Sequence, residues 1–423
     1  MAWQNHQSFL FGDYAFLCDI YGLSGPAGTF PCLWCETTNM EIRNSEQGTI
    51  SDRTLDSIKK NYREYLEASK QPMTQGDRKK LAAQHKNCVR KPLLDIELDM
   101  VVPMYLHILL GNVWKQHGWL VEEAHAIDEE LAVLFSECDE SKVPSHLPLD
   151  LFKEYIFCLQ QKKKLGEELV DMEGVVASAT TLKEKKNAEK RFSVITEELA
   201  KLSDKKLKKG SGPVAYSIEE TLAKHKIESK AWHGGAFIGN HCAKYLNEKV
   251  YTQVTDTICK KTASLTENLE LRQKAEQIKQ TFDTLFASFA KVHDKISNTN
   301  KLTQDDQIYI QESIDIYMNN IRKFFPEKNV TPKMHILENH VVPFLQNFNV
   351  ALGRMSEQGG ELIHASMVKF SKRTLGIRNP RERLRSTIEA HHVHNDAELR
   401  SLTPNVKKGE NTTNPKNRLF FKV

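Results

Sequence analysis

Apolar residues recur at helical spacing through most of this chain and at strand spacing almost nowhere. The exception comes first. Residues 8–11, SFLF, read as a short buried strand near residues 7–12. Residues 14–21 follow as an apolar run of helical length, with Gly22 placed to stop it, and GLSGPAG then forces a loop. From about residue 52 the period is helical, over 52–86, 100–114 and 120–136, and then in two long Lys/Glu-rich segments, 149–172 and 182–207. Leu165, Leu169 and Met172 share one face of the first segment, and Ile195, Leu199 and Leu202 share one face of the second. GVVASATT separates them, so the spacing predicts a helical hairpin. KKLKKGSGP, residues 205–213, is a basic linker, and more helices are expected near 236–259, 267–293 and 304–324. The tail after Pro404 is irregular, and no repeat of fixed period is visible.

Composition narrows this picture without deciding it. With 423 residues, 40% hydrophobic and 27% charged, the chain has ample material for a folded core. The most apolar run, residues 100–114, contains Pro103 and His107 and is too short to span a bilayer, so no membrane partner is expected. Six of the eight cysteines are scattered and only Cys32 and Cys35 are paired in sequence. That usage fits a reducing compartment, with a metal as the natural use for the pair. A net charge of +4 permits nucleic acid but does not demand it, so the distribution of charge carries the argument.

The candidate chemistry lies at the two ends of the helical stretch. Cys32 and Cys35 place two thiolates on one tight turn, and TPKMHILENH supplies His335 and His340 at a spacing seen in paired zinc histidines. Together they would complete a tetrahedral site; read separately, they are a redox pair and one face of a helix. Asp13, at the end of the expected strand, is well placed to ligate a metal. SEQGGELIHASMVKF opens a helix carrying Glu357, Glu361 and His364, with Glu361 and His364 on one face. Carboxylates from different elements suit Mg²⁺ or Mn²⁺; acids in a helix's first turn are also favoured by its dipole alone. Lys369, Lys372, Arg373, Arg378, Arg381 and Arg383 crowd together just beyond. They are candidates to grip a phosphodiester backbone without reading its sequence, although Arg381-Glu382-Arg383 also suits a self-paired surface helix. AWHGGAFIGNHCAKYL is open to reading as a phosphate-cradling turn but fits no P-loop, and its His233 and His241 read as structural.

A strand-end Asp, a C-x-x-C nineteen residues later, an all-helical stretch, H-x4-H and a Glu-bearing helix follow one another in this chain. That ordered set resembles the cut-and-paste DDE transposases with a C2-H2 zinc site. It is most like the Transib transposases and the catalytic subunit of the V(D)J recombinase. The element GN-x-x-x-K-x-L, residues 239–246, resembles a segment of the recombinase's insertion. The resemblance implies a mainly α chain with a partial ribonuclease H-like α/β core interrupted by a long helical insertion. It also implies a structural zinc on Cys32, Cys35, His335 and His340, and Asp13 and Glu361 as the second and third catalytic acids, with Glu357 an alternative for the third. Metal-dependent DNA cleavage and strand transfer in the nucleus would follow.

The family's first acid lies upstream of Asp13, and only twelve residues precede it here. The expectation is therefore a transposase-derived DNA-binding protein that is inactive alone. The alternatives are an active transposase once an upstream segment is supplied, and a helical interaction scaffold. DNA is the expected partner and a homodimer is possible. The expected divisions are 1–50 for the core remnant with the CxxC, 51–330 for the insertion, 331–400 for the histidine and glutamate segments, and 401–423 for the tail.

Overall fold

The computed structural model describes residues 8–44, 50–138, 143–144, 149–230, 235–355 and 367–396. These are mainly helical. The chain divides into two compact units, Met1–Ser356 and Glu357–Val423.

The first unit runs α1 (Tyr14–Ile20), α2 (Asn39–Asn44), α3 (Leu55–Ala68), α4 (Gln75–Gln84), α5 (Tyr105–Glu137), α6 (Asp150–Ser178) and α7 (Leu182–Ser203). It continues with α8 (Pro213–Lys224), α9 (Gly239–Tyr245), α10 (Glu248–Leu265), α11 (Leu269–Ile296), α12 (Gln304–Phe324), α13 (Pro332–Asn339) and α14 (Val341–Phe348). In the second unit α15 spans Pro380–Asn395.

The 33-residue α5 is the spine, about 50 Å long. The sequence period breaks between residues 114 and 120, yet the helix runs straight through. The reason is that the polar residues there are buried with partners. Gln116 Nε2 donates to Tyr317 Oη at 2.9 Å, and Tyr317 donates in turn to Asn112 Oδ1 at 2.9 Å. His117 Nε2 lies 3.1 Å from Glu219 Oε1. Around this spine pack α6, α8, α9, α11 and α13, and α10 and α12 extend the bundle on either side of α11. Phe282, Phe286, Phe289, Tyr245, Tyr317 and Trp119 fill the centre and are all nearly inaccessible. Asp128, also on α5 and fully buried, accepts from the backbone N–H groups of Val214 and Ala215 at 2.8 and 2.9 Å. A side chain from another helix thus caps α8. Gly212 must stay bare for this, since a Cβ there would lie 2.2 Å from the Asp128 carboxyl carbon.

The hairpin is present. Helix α6 continues through Gly174 to Ser178, further than the sequence spacing predicts. The break is confined to residues 179–181, where Thr181 and Glu184 form a reciprocal capping box that starts α7.

The expected strand reduces to a single rung. Leu10 donates to Met100 O at 3.1 Å and accepts from Val102 N at 2.8 Å, a parallel bridge with Val101. Asp13 opens α1 three residues later, so the chain leaves the extended conformation before a second rung forms. Among the described residues there is no sheet.

Candidate metal centre

The loop that carries the cysteines is anchored from several sides. Gly22 ends α1 in the left-handed region, φ 74°, with the Arg90 carbonyl where a side chain would stand. Beyond it, Tyr14 donates to the Pro31 carbonyl, and Asn87 Nδ2 donates to Phe30 O at 3.0 Å. Trp34 O accepts from Arg53 N at 2.9 Å, and Glu36 N donates to Ser51 O at 2.9 Å. Arg53 is 3% exposed, and its guanidinium reaches Lys86 O at 3.0 Å and Cys35 O at 3.3 Å. The loop is thereby fixed by a buried cation that bridges two backbone segments.

The histidines come from the far end of the unit. Thr331 caps α13, and Pro332 occupies its first turn. His335 sits on α13, and His340 occupies the junction where α13 gives way to α14. Arg322 on α12 grips Glu338 through Nη2, at 2.6 and 2.8 Å from the two carboxylate oxygens, and so pins the short helix between the histidines.

The two pairs, 300 residues apart in sequence, meet. Cys35 Sγ is 3.2 Å from His335 Nε2, Cys32 Sγ is 3.3 Å from His340 Nε2, and the two Nε2 atoms are 3.3 Å apart. All four ligand atoms lie within 4.8 Å of one another and all four residues are buried. The Cys32 thiol and the two imidazoles hydrogen-bond to Cys35 and draw its pKa well below the usual thiol range, while burial pushes the Cys32 thiol well up. The Trp34 and Cys35 backbone N–H groups are directed at Cys32 Sγ. Thr37 Oγ1 lies 3.1 Å from Cys35 Sγ, Asn339 Nδ2 lies 3.1 Å from His335 Nδ1, and the Trp34 ring stacks on His340.

This donor set could hold a metal ion such as zinc. Bonds of about 2.3 Å to sulfur and about 2.0–2.1 Å to nitrogen in a tetrahedron require ligand atoms about 3.3–3.8 Å apart. Three of the six separations are 3.2–3.3 Å, at or just short of that range, and all six lie within 4.8 Å. Among the described residues this is the one cluster of three or more His, Cys, Asp or Glu side chains with that property. Its supporting groups were not foreseeable from spacing. A buried arginine at position 53 and an asparagine one turn after His335 carry no motif.

The other candidates sit elsewhere. Asp13 stands not at a strand's end but as the N-cap of α1, where its Oδ1 accepts from Phe16 N at 2.7 Å. The correction has a plain cause, since a carboxylate one residue ahead of an apolar helical run satisfies an orphan N–H. Asp13 also borders a mainly apolar cleft of about 760 Å³ with His107, Trp114, Lys115 and Lys333. Burial there pushes Lys333 below the usual lysine range. Glu361, with Glu357 and His364, lies outside the described residues, as does His233. His241 Nδ1 is 3.0 Å from Glu228 O, a structural contact.

In the second unit, Lys369, Lys372, Arg373, Arg378, Arg381 and Arg383 are all exposed. Arg373 lies over the Phe370 ring, while Arg385 pairs with Glu389 at 2.8 Å. Arg381, Glu382 and Arg383 do not pair among themselves. No helix among the described residues is long and apolar enough to cross a membrane. Comparison with protein-family models and with curated proteins gives no match to this chain.

Proposed function

We propose that this chain is a transposase-derived DNA-binding protein of the nucleus, held together by a structural zinc ion and unable to cut DNA alone. The observation that carries the reading is the meeting of Cys32 and Cys35 with His335 and His340 in one buried cluster. The DDE-transposase resemblance names those four residues as zinc ligands across a helical insertion. In this reading α1 and the Leu10–Val101 rung are the edge of a ribonuclease H-like core, and α3 to α12 belong to the insertion. The exposed cations between Lys369 and Arg383 grip phosphates without reading bases. Asp13 belongs to no cluster of three or more ligating groups among the described residues, and its carboxylate serves α1. Cleavage with Mg²⁺ or Mn²⁺ would need further acids beside Asp13, and the resemblance names Glu361 as one of them.

The deciding experiment pairs zinc analysis with DNA binding. The purified chain is expected to carry about one zinc and to bind a random-sequence duplex with an affinity that falls steeply as salt rises. Replacing Arg378, Arg381 and Arg383 with Gln is expected to flatten the slope of log K against log salt by up to about 3. Zinc without DNA binding would leave a helical interaction scaffold. Absence of stoichiometric zinc would remove the transposase reading. Metal-dependent nicking lost in Asp13→Ala would show that the chain is catalytic after all.

A further inference from the structure

The arm formed by α6 and α7 has more surface than its own hairpin uses. Helix α6 buries only Phe152, Ile156 and Cys158, all near its base. Beyond them one seam faces α7, with Leu165, Leu169 and Met172 half-buried along it. The antiparallel register is fixed where Arg191 Nε and Nη2 donate to Glu168 Oε1 at 2.8 and 2.6 Å.

A second stripe lies about 110° around α6 from that seam, at the 100° turned per residue. It contains Lys163, Gly166, Val170 and Glu173. Val170 is 67% exposed. Neither Lys163 nor Glu173 has an ion-pair partner among the described residues. Gly166 has open space where a Cβ would stand, so nothing in this chain requires a glycine that costs a helix interior about 1 kcal/mol against alanine.

The stripe is self-complementary. Lys163 and Glu173 are equidistant from residue 168, and so are Gly166 and Val170. If two copies of α6 lie antiparallel and cross at that level, each Lys163 meets a Glu173 and each Val170 enters the gap over a Gly166. Beside Glu173, a groove of about 370 Å³ between α6 and α7 carries a second acid, Glu189, next to Ala177 and Phe192. The lysine of the second copy would arrive between the two acids.

We propose that this face of the arm binds a second copy of the chain through an antiparallel, twofold α6–α6 contact. Charge complementarity selects that occupant, because the sign pattern of the stripe is matched by its own reverse. The stripe from residue 163 to 173 is about 15 Å long, so the contact is small, weak and sensitive to salt.

Sedimentation velocity on the full chain tests this. A concentration-dependent monomer–dimer equilibrium is expected between about 1 and 100 μM, shifting to monomer as salt rises. K163E and E173K are each expected to weaken the dimer about ten-fold or more, because each puts like charges across the axis. The K163E/E173K double variant restores opposite charges and is expected to recover dimerisation. G166L, which fills the gap, is expected to abolish it. Circular dichroism on each variant separates loss of pairing from loss of helix. A chain that stays monomeric at 100 μM and low salt overturns the proposal. So does a dimer indifferent to the single charge reversals, or a double variant no better than the worse single one.

Discussion

At the scale of single residues, the least obvious side chains are the buried charged ones. Asp128 has two backbone donors, yet burial outweighs them and raises its pKa to about 7. In the unfolded chain it titrates near 3.9. Between those values the folded protein binds a proton that the unfolded chain has released, so this residue's contribution declines as pH rises from about 4 to about 7. Denaturant unfolding of the wild type and Asp128→Asn across that range is expected to show this as a pH-dependent difference, with the wild type losing ground to the variant as pH rises. Equal slopes would mean that the carboxylate is ionised throughout. Arg53 poses a different question, because it hydrogen-bonds to none of the four candidate ligand side chains and reaches the loop only through its backbone. Arg53→Met keeps the bulk but leaves the Lys86 and Cys35 carbonyls without their donor. Metal affinity measured by chelator competition is expected to drop about 10–100-fold, the usual cost of losing an outer-shell support. Neither role is legible in the sequence. Both depend on which distant backbone segments happen to lie opposite.

At the scale of elements, what could be read from the chain was whatever the apolar period alone decides. Helix α12 spans residues 304–324 as its spacing predicts, because Thr303 and Asp306 form a capping box and the apolar face continues unbroken to Phe325. The period failed in α5, where buried Gln116 and His117 imitate a loop, and in SFLF, where strand composition yields one bridge. In both places tertiary partners, invisible to a local pattern, set the outcome. The α6–α7 arm was legible as a hairpin, but its independence from the body was not. On the α7 side only Ala188 and Ile195 are buried. Replacing residues 163–197 with a short Gly/Ser turn is therefore expected to shift the thermal midpoint of the body by only a few degrees, followed by calorimetry. A collapse of the main transition would show that the arm is part of the core.

At the scale of the whole molecule, the candidate metal centre joins a loop near the start of the first unit to helices near its end. Stripping the metal with a chelator is expected to lower the thermal midpoint by about 10 °C or more, and Zn²⁺ but not Mg²⁺ is expected to restore it. An unchanged midpoint would mean that the four side chains pack adequately by themselves. The identity of those four residues was readable as two motifs, C-x-x-C and H-x4-H. Their union was not, because no spacing rule reaches across 300 residues. That same separation has a consequence during synthesis. Ribosomes add about 5–20 residues per second, so the cysteines emerge about 15–60 s before the histidines that complete their site. For that interval each new chain carries half of the candidate site, two thiols without the imidazoles that meet them in the folded protein. Recovery of correctly folded protein should therefore depend on the redox state of the cell and, with the site filled as proposed, on its zinc supply while the chain is still being made.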